Sequence, residues 1–409
     1  MKGHYGYVIV FCCFLIMFVI VGMVMSTAGI FYQPVSESLG VEIGDFGIYQ
    51  SINFFVSTLT LTFAGKLMDR YSARWILTGC SLLVALTYIA MFSFNSLWQF
   101  YVAGAVFGFS MAFLLYLGFA TMLNRWFRKR MGIFIGICSA GSGIGGIVFN
   151  PLAGYLITEY GWRQTYLVFG LFILIVVTPV LGFLLRSYPE DKGLSPFGTS
   201  EDTGQERVSY QPEGISYKRA IMTPIFYALI VFGFLMNATA TLNIFIPSYV
   251  QSLEFSIEEA SFAASAAMLG VTIGKVVLGA VNDRSQMTGV NITTLLGIAG
   301  LVLILFGHSG LWFTIVGSFF FGWAYAGVSV QTPLLVRKVF GAKDYSKIYS
   351  NISMSLAIGG AVAAAGWGLL ADGTSFTVIF IIGAGFLLIC DIIGITSLKI
   401  KIKPYANKQ

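Results

Sequence analysis

The chain has 409 residues, of which 57% are hydrophobic and 10% are charged, and its mean hydropathy is +0.82. A soluble globular protein carries about 25% charged residues, so this composition excludes a soluble fold and predicts an all-α membrane protein. The net charge of +6 would by itself suggest an anionic partner. The positions of the cations explain it instead by membrane orientation, so we expect no nucleic-acid partner.

Twelve apolar stretches are long enough to cross a bilayer, which takes about 20 helical residues. The only long polar segment runs from Arg186 to Lys218, and its Pro, Gly, Ser and charged residues predict a linker. The predicted domains are an N-terminal six-helix half (1–186), a cytoplasmic linker (187–219) and a C-terminal six-helix half (220–409). The predicted spans are residues 6–31, 46–67, 74–95, 98–122, 132–157, 164–186, 221–251, 258–281, 291–307, 311–336, 348–370 and 375–398.

Lysine and arginine residues mark one side of the membrane. All 24 except Arg163 and Lys275 fall at the termini, in the linker or in the loops that follow even-numbered spans. Acidic residues dominate most of the opposite loops. Since cytoplasmic loops carry the excess of Lys and Arg, we expect a multi-pass protein of the plasma (cytoplasmic) membrane with both termini in the cytoplasm.

Three landmarks recur at nearly one offset along the chain. The motif GKLMDR at 65–70 returns as GAVNDR at 279–284, the pair WF at 126–127 returns as VF at 339–340, and the glycine pair at 145–146 returns at 359–360. These repeats predict two six-helix halves of one fold. In transporters built from parallel repeats, the substrate site lies between the halves near the bilayer midplane.

The stretch GKLMDRYSARW, with Gly65, Asp69, Arg70 and Arg74 in place, resembles the loop signature between helices 2 and 3 of the major facilitator superfamily. Ser72 stands where that family usually has glycine. The resemblance covers the whole chain and implies the major facilitator fold, with twelve transmembrane helices in two six-helix pseudo-repeats. Three further stretches resemble the branch that holds oxalate/formate antiporters and monocarboxylate transporters. They are NRWF with RKRMGIFIGICSAGSGIGG (124–146), YGWR (160–163) and PEDKGL (189–194).

Lys275 is the central candidate for substrate binding. It lies in the apolar run 261–281, where a cation costs at least a few kcal/mol and usually marks a substrate or ion path. The alternative is that its ammonium snorkels to the headgroups. The branch resemblance implies a substrate-binding cation eight residues before Asp283, which is Lys275, although arginine is more common there. It also implies binding-site aromatics at Tyr116, in helix 4, and Tyr325, in helix 10.

At two positions the sequence differs from members of this branch, and both differences bear on the expected substrate and its coupling. The dicarboxylate exchangers carry a second cation in helix 11, where this chain has Ser353, Met354 and Ser355, so one ammonium predicts one carboxylate. The animal-type monocarboxylate carriers have an aspartate one turn before the helix 8 cation. Here that residue is Val271, so proton coupling through such a pair is not expected.

The remaining candidates keep two interpretations each. Polar residues within spans either line a water-filled path or bridge helices; the substrate-site candidates among them are Asn237, Asn243, Ser142, Asn351 and Ser353. The loop-signature residues either set topology or, as the family implies, latch the halves together: Gly65, Asp69, Arg70, Arg74, Asp283 and Arg284. Three carboxylates either have a structural role or take part in proton coupling: Asp391, Glu258 and Glu259. For Asp391, an ion pair with Lys275 is a further alternative.

No catalytic triad, metal-ligand spacing or phosphate-binding loop accompanies the two histidines, so we expect neither an enzyme nor a cofactor or metal site. The predicted function is alternating-access transport of a small organic anion, most simply a monocarboxylate, by a monomer in the lipid bilayer. Uptake would need a coupled proton or counter-anion. Two alternatives stay open at this point: an efflux carrier for larger amphipathic anions or drugs, and a non-transporting ligand sensor on the same fold.

Overall fold

Long helices make up nearly all of the protein in the computed structural model, which describes residues 4–127, 131–197, 214–341 and 344–400. We number the long helices α1 to α12. They are α1 (Gly6–Leu39), α2 (Ile43–Arg70), α3 (Ala73–Met91), α4 (Leu97–Leu123, continuing to Trp126), α5 (Met131–Tyr160), α6 (Trp162–Leu184), α7 (Pro224–Ile244, continuing as Ile246–Ser252), α8 (Ile257–Arg284), α9 (Gln286–Leu305), α10 (Leu311–Phe340), α11 (Tyr345–Gly373) and α12 (Phe376–Lys399).

Eleven of these helices in the described ranges are both long and apolar enough to cross a membrane. The exception is α2, which at 28 residues is long enough but carries buried polar side chains such as Gln50, Asn53 and Ser57. The twelve predicted spans thus correspond one-to-one with the twelve long helices. The all-helical membrane fold predicted from the sequence is confirmed.

Several helices are irregular, and the clearest departures from the prediction are in α1 and α7. Helix α1 runs eight residues beyond the predicted end at residue 31 and stops at Gly40, whose φ of +65° is the left-handed conformation that favours glycine. It contains a π-helical stretch, Ile16–Ser26. Helix α7, predicted as one span, breaks at a 3₁₀ turn, Thr241–Ile244. Broken or π-helical segments in membrane helices often accompany functional sites.

The chain divides into two compact units. The first comprises the described residues of Met1–Thr203 together with Ile244–Met268, and the second those of Gly204–Asn243 and Leu269–Gln409. The end of α7 and the first part of α8 therefore belong to the first unit. The predicted halves, 1–186 and 220–409, were drawn from the sequence repeat and stay a prediction.

Close helix contacts in the first unit form at glycine. A Cβ added to Gly22 in α1 would lie 3.0 Å from the Cα of Gly145 in α5, and one added to Gly145 would meet the backbone oxygen of Phe18. Small residues let membrane helices approach closely enough for extensive van der Waals contact. Gly145 thus lets α1 and α5 pack closely.

The second unit repeats this arrangement between α7 and α11. A Cβ added to Gly359, the repeat counterpart of Gly145, would meet the backbone of Phe234. Two hydrogen bonds join the same helices: Asn237 Nδ2 donates to Leu356 O at 2.7 Å, and Trp367 Nε1 donates to Ala238 O at 2.7 Å. These contacts hold α7 against α11 just before its break.

The segment predicted as a linker contains a short helical element near each end. Pro189–Lys192 forms a 3₁₀ turn and Tyr217–Ala220 a short helix. In the first unit, the Phe197 amide donates to Trp126 O at 2.8 Å; in the second, the Ile215 amide donates to Phe340 O at 3.0 Å. Residues 198–213 lie outside the described part.

Candidate functional site

Lys275 lies deep within α8 and in the second unit. Nine residues separate it from the last helical residue, Arg284, which corresponds to about 13 Å of helix. Helix α8 extends to Arg284, three residues past the predicted end of the span at 281, and those three residues are polar or charged. Lys275 lies six residues, or about 9 Å of helix, before Val281, the last apolar residue, and this distance exceeds the length of a lysine side chain.

One face of α8 packs closely on α10. A Cβ added to Gly274 would lie 3.0 Å from Ala326 Cβ, and one added to Gly270 would meet Phe319 O. Since successive helical residues turn by about 100°, Lys275 points about 100° away from the Gly274 contact. The lysine is therefore not directed into the α8–α10 interface.

A second face of α8 carries exposed apolar side chains of the kind that lipid covers. Leu269, Ile273 and Val276 are 42%, 37% and 69% exposed. The centre of this strip is about 130° from Lys275 around the helix axis. The lysine thus lies on a third face, between the α10 contact and the apolar strip.

The third face offers Lys275 no counter-ion and leaves space beside it. Its side chain is partly buried, and no described residue forms a hydrogen bond or ion pair with its ammonium. Val271, one turn back, is 3% exposed. One turn forward, a Cβ added to Gly279 would have no atom within 4 Å. A cation in this setting can bind an anion that enters the neighbouring space.

Two aromatic residues of α10 flank the same helix crossing. Tyr325 precedes Ala326, the residue against Gly274, and is partly buried. Trp323 was not selected from the sequence; its Cδ2 is 3.6 Å from a Cβ added to Gly274. Its buried Nε1–H has no acceptor within the described part of the chain. The sequence signal for Trp323 was only its residue type, because an indole in a membrane helix is usually packing.

Tyr116 belongs to the first unit. It lies in a π-helical segment of α4, Ala112–Gly118, and is 40% exposed. Such segments are rare and are frequently found at functional sites. This local geometry is an argument for a site role that is independent of the sequence resemblance.

The other polar candidates are engaged mainly with backbone. Asn237 bridges α7 and α11, as described above. Asn351 Nδ2 donates to Lys347 O at 2.9 Å, and Ser142 Oγ donates to Ser139 O at 3.0 Å, each within its own helix. Asn243 is 6% exposed, and its buried Oδ1 has no donor among the described atoms. Ser353 is partly buried in α11. Polar residues within spans were expected either to line a water-filled path or to bridge helices, and Asn237 bridges two helices.

Two of the three carboxylates considered for proton coupling, Asp391 and Glu259, have local partners. Thr294 Oγ1 in α9 donates to Asp391 Oδ1 at 2.6 Å, and no described ion pair joins Asp391 to Lys275. At the start of α8, Glu259 Oε2 accepts from the Ser256 amide at 2.8 Å while Ser256 Oγ accepts from the Glu259 amide at 3.2 Å. This reciprocal pattern is a capping box. Glu258 lies beside it, partly buried, in the same first turn.

The loop-signature residues occupy helix ends in both units. In the first, Arg70 is exposed and a Cβ added to Gly65 would have no atom within 4 Å, while Arg74 Nε donates to Gly182 O at 2.7 Å. The side chain of Asp69 lies outside the described atoms. In the second unit, Asp283 and Arg284 are exposed. Their role as a latch stays a prediction.

Comparison with known proteins identifies the family. The model of the Major Facilitator Superfamily matches residues 14–287 and 228–408, nearly the whole chain. The chain belongs to this superfamily. As a member of this superfamily it is a multi-pass membrane protein, as the sequence led us to expect.

Relatives include transporters with and without a named substrate. The chain is 25% identical over 424 residues to the uncharacterized transporter ESBP6 of Saccharomyces cerevisiae, a match that covers 100% of this chain and 56% of the yeast protein. It is 25% identical over 304 residues to human monocarboxylate transporter 12, covering 69% of this chain and 65% of that protein. The chain thus spans somewhat over half the length of these two relatives.

Solved structures agree on the fold. The crystal structure of the nucleoside transporter NupG superposes with a TM-score of 0.74 at 14% identity, covering 98% of this chain and 100% of that one. At this identity the likeness concerns the fold of this major facilitator protein and carries no information about its substrate.

Proposed function

We propose that this major facilitator protein is a secondary active transporter of a small organic monocarboxylate, whose carboxylate pairs with Lys275. The observation that carries the proposal is a lysine deep in α8 with open space at Gly279 and no counter-ion in the described structure. A cation held this way is costly, and a bound carboxylate offsets the cost. The monocarboxylate transporters among its relatives support the choice of anion.

The number of cations supports a monoanion. The α11 segment that carries a second cation in dicarboxylate exchangers reads Ser353, Met354 and Ser355 here. A second carboxylate would then lie in the membrane without a positive partner, which costs several kcal/mol. A substrate with one carboxylate and an otherwise neutral body avoids that cost.

The chemistry assigned to each residue follows from its donors. Lysine presents a compact point charge with three rotatable donors, so it accepts a carboxylate in several orientations. The Tyr325 hydroxyl and the Trp323 indole N–H, both on α10, supply donors to the polar atoms of the substrate. For Tyr116 of α4, the role of a binding-site aromatic that the branch resemblance implies stays a prediction.

The charge of the substrate sets the energetics of transport. An inside-negative potential opposes anion entry by about 2.3 kcal/mol per charge per 100 mV. We propose, from the distribution of Lys and Arg, that the protein lies in the plasma membrane with both termini in the cytoplasm. Uptake of an anion across that membrane therefore requires a coupled proton or an exchanged anion. Efflux requires neither.

Flux into proteoliposomes tests the proposal. Radiolabelled short-chain monocarboxylates should accumulate, and unlabelled short-chain acids should compete while oxalate competes weakly. Lys275→Ala should abolish this flux in protein that still inserts and purifies as a single species. Binding without flux would indicate the sensor alternative, and competition only by bulky amphipathic acids would indicate the efflux carrier. Normal flux through Lys275→Ala would remove the basis of the proposal.

A further inference from the structure

The first turn of α3 presents a guanidinium stacked on an exposed indole. Arg74 Cζ lies 4.7 Å from the centre of the Trp75 ring, and Trp75 is 63% exposed. Because α3 and its apolar span begin at Ala73, both residues lie at a membrane edge. Cation–π contact fixes the guanidinium over the ring face.

The end of α6 holds Arg74 in place and brings a second arginine to the same edge. Arg74 Nε donates to Gly182 O at 2.7 Å, and its amide donates to Ser187 Oγ at 3.2 Å. Between those two partners, Arg186 Nη1 donates to Phe183 O and Leu185 O, both at 2.8 Å. Phe183 is 73% exposed. Two guanidinium groups are thus tied to the backbone of 182–187, beside two exposed aromatic rings.

A second cation–aromatic pair lies where α2 ends. Arg70 Cζ is 5.6 Å from the centre of the Tyr71 ring, and Tyr71 is 57% exposed. With Lys66, Arg74 and Arg186 this edge carries four cations, against Asp69 in α2 and Glu190 and Asp191 shortly after Arg186. The local charge is therefore positive even when all three carboxylates are ionised.

The second repeat supplies an internal comparison. At the positions that correspond to Tyr71, Arg74 and Trp75, the chain has Ser285, Thr288 and Gly289. Only Arg284 is retained, at the position of Arg70. A helix–loop–helix of this family therefore forms without the stacked pairs, so folding and membrane orientation alone do not explain their presence.

We propose that this edge of the first unit binds the phosphate of an anionic phospholipid, with Arg74 and Arg186 as donors and Trp75 against the lipid. Guanidinium groups bind phosphate through paired, charge-assisted hydrogen bonds. Exposed indole and phenol rings settle at the depth of the headgroups. The edge is also the one that the positive-inside pattern assigns to the cytoplasmic leaflet, which is rich in anionic lipids. The site is separate from Lys275 and does not depend on the transported substrate.

Lipid titration of the purified protein in neutral detergent tests this site, with thermal unfolding as the readout of affinity. Phosphatidylglycerol should stabilise the protein in a saturable way, whereas phosphatidylcholine with the same acyl chains and inorganic phosphate should not. Arg74→Lys keeps the charge but loses the planar fork, so the affinity for phosphatidylglycerol should fall about tenfold. Trp75→Leu should also weaken it, and Trp75→Tyr should retain it.

Arg163→Lys is the matched control. Arg163 also stacks on a tryptophan, 4.1 Å from the Trp162 ring, but that ring is only 6% exposed. This variant should keep the wild-type affinity for phosphatidylglycerol. Unchanged affinity in both Arg74→Lys and Trp75→Leu would overturn the proposal. Equal stabilisation by phosphatidylcholine would show a general lipid effect, and saturable stabilisation by inorganic phosphate would show a site for soluble anions; either result also overturns it.

Discussion

Replacing Lys275 by methionine should weaken substrate binding and stabilise the empty protein at the same time. Methionine is unbranched and one atom shorter than lysine, so it removes the charge with little change in shape. The lost charge-assisted hydrogen bond is worth about 1.5–3 kcal/mol, which corresponds to a 10- to 150-fold loss of affinity for a monocarboxylate. The empty protein loses an unpaired cation from the membrane span, a gain of up to about 3 kcal/mol. Since Lys275 is only partly buried, we expect less than that limit.

Two measurements on one sample separate these effects. Isothermal titration with short-chain monocarboxylates gives the affinity, and thermal unfolding without ligand gives the stability. Val276→Met, on the exposed apolar strip of the same helix, is the control and should change neither. Lys275→Arg should bind with intermediate affinity, because the charge remains while its shape changes. The reasoning fails if Lys275→Met binds normally, or if it unfolds at a lower temperature than the wild type, since that would reveal a counter-ion.

Three further substitutions test the packing and the buried polar groups. Asn150 is fully buried, and neither atom of its amide has a partner in the described structure, so Asn150→Leu should raise the stability by roughly 1–3 kcal/mol; a loss of stability would show that the amide is bound. Gly359→Ala should lower the melting temperature because its Cβ would meet backbone, whereas Gly366→Ala, with no atom within 4 Å, should not; equal effects would contradict the close α7–α11 contact. Asp391→Asn keeps an acceptor for Thr294, so the pH dependence of uptake should be unchanged, and a shifted pH profile would restore a coupling role.

The fold could be predicted because bilayer thickness fixes the length of an apolar helix. Its irregularities could not, because they depend on single contacts. Helix α1 continues through Pro34 to Gly40, although its sequence becomes polar near Gln33. Helix α7 breaks at Thr241–Ile244, within a stretch whose hydropathy alone indicates a continuous span. The length of an apolar stretch indicates how many residues cross the membrane. It does not show where the backbone hydrogen bonds of the helix change partners.

The place of Lys275 along helix α8 could be predicted from the sequence, but the direction of its side chain could not. The repeat and Asp283 located Lys275 along α8, yet the sequence left open whether it faced lipid, another helix or open space. The phase of α8 is set by Gly270 and Gly274 against α10, and such tertiary contacts do not show in one helix's sequence. Trp323 was missed for the same reason: its role depends on the contact at Gly274 and on an indole N–H without an acceptor among the described atoms.

In the described part of the second unit, two charged side chains lie well away from helix ends, and their surroundings differ. In the sequence, Lys275 and Asp391 look alike, because both are charges in hydrocarbon and pairing between them is one interpretation. In the structure Asp391 accepts a hydrogen bond from Thr294, so its partner is part of the fold. Lys275 has no partner in the described part of the fold and lies beside open space. An uncompensated charge within a membrane helix usually marks a substrate or ion path, and this contrast between the two residues is why we propose an anionic substrate as the partner of Lys275.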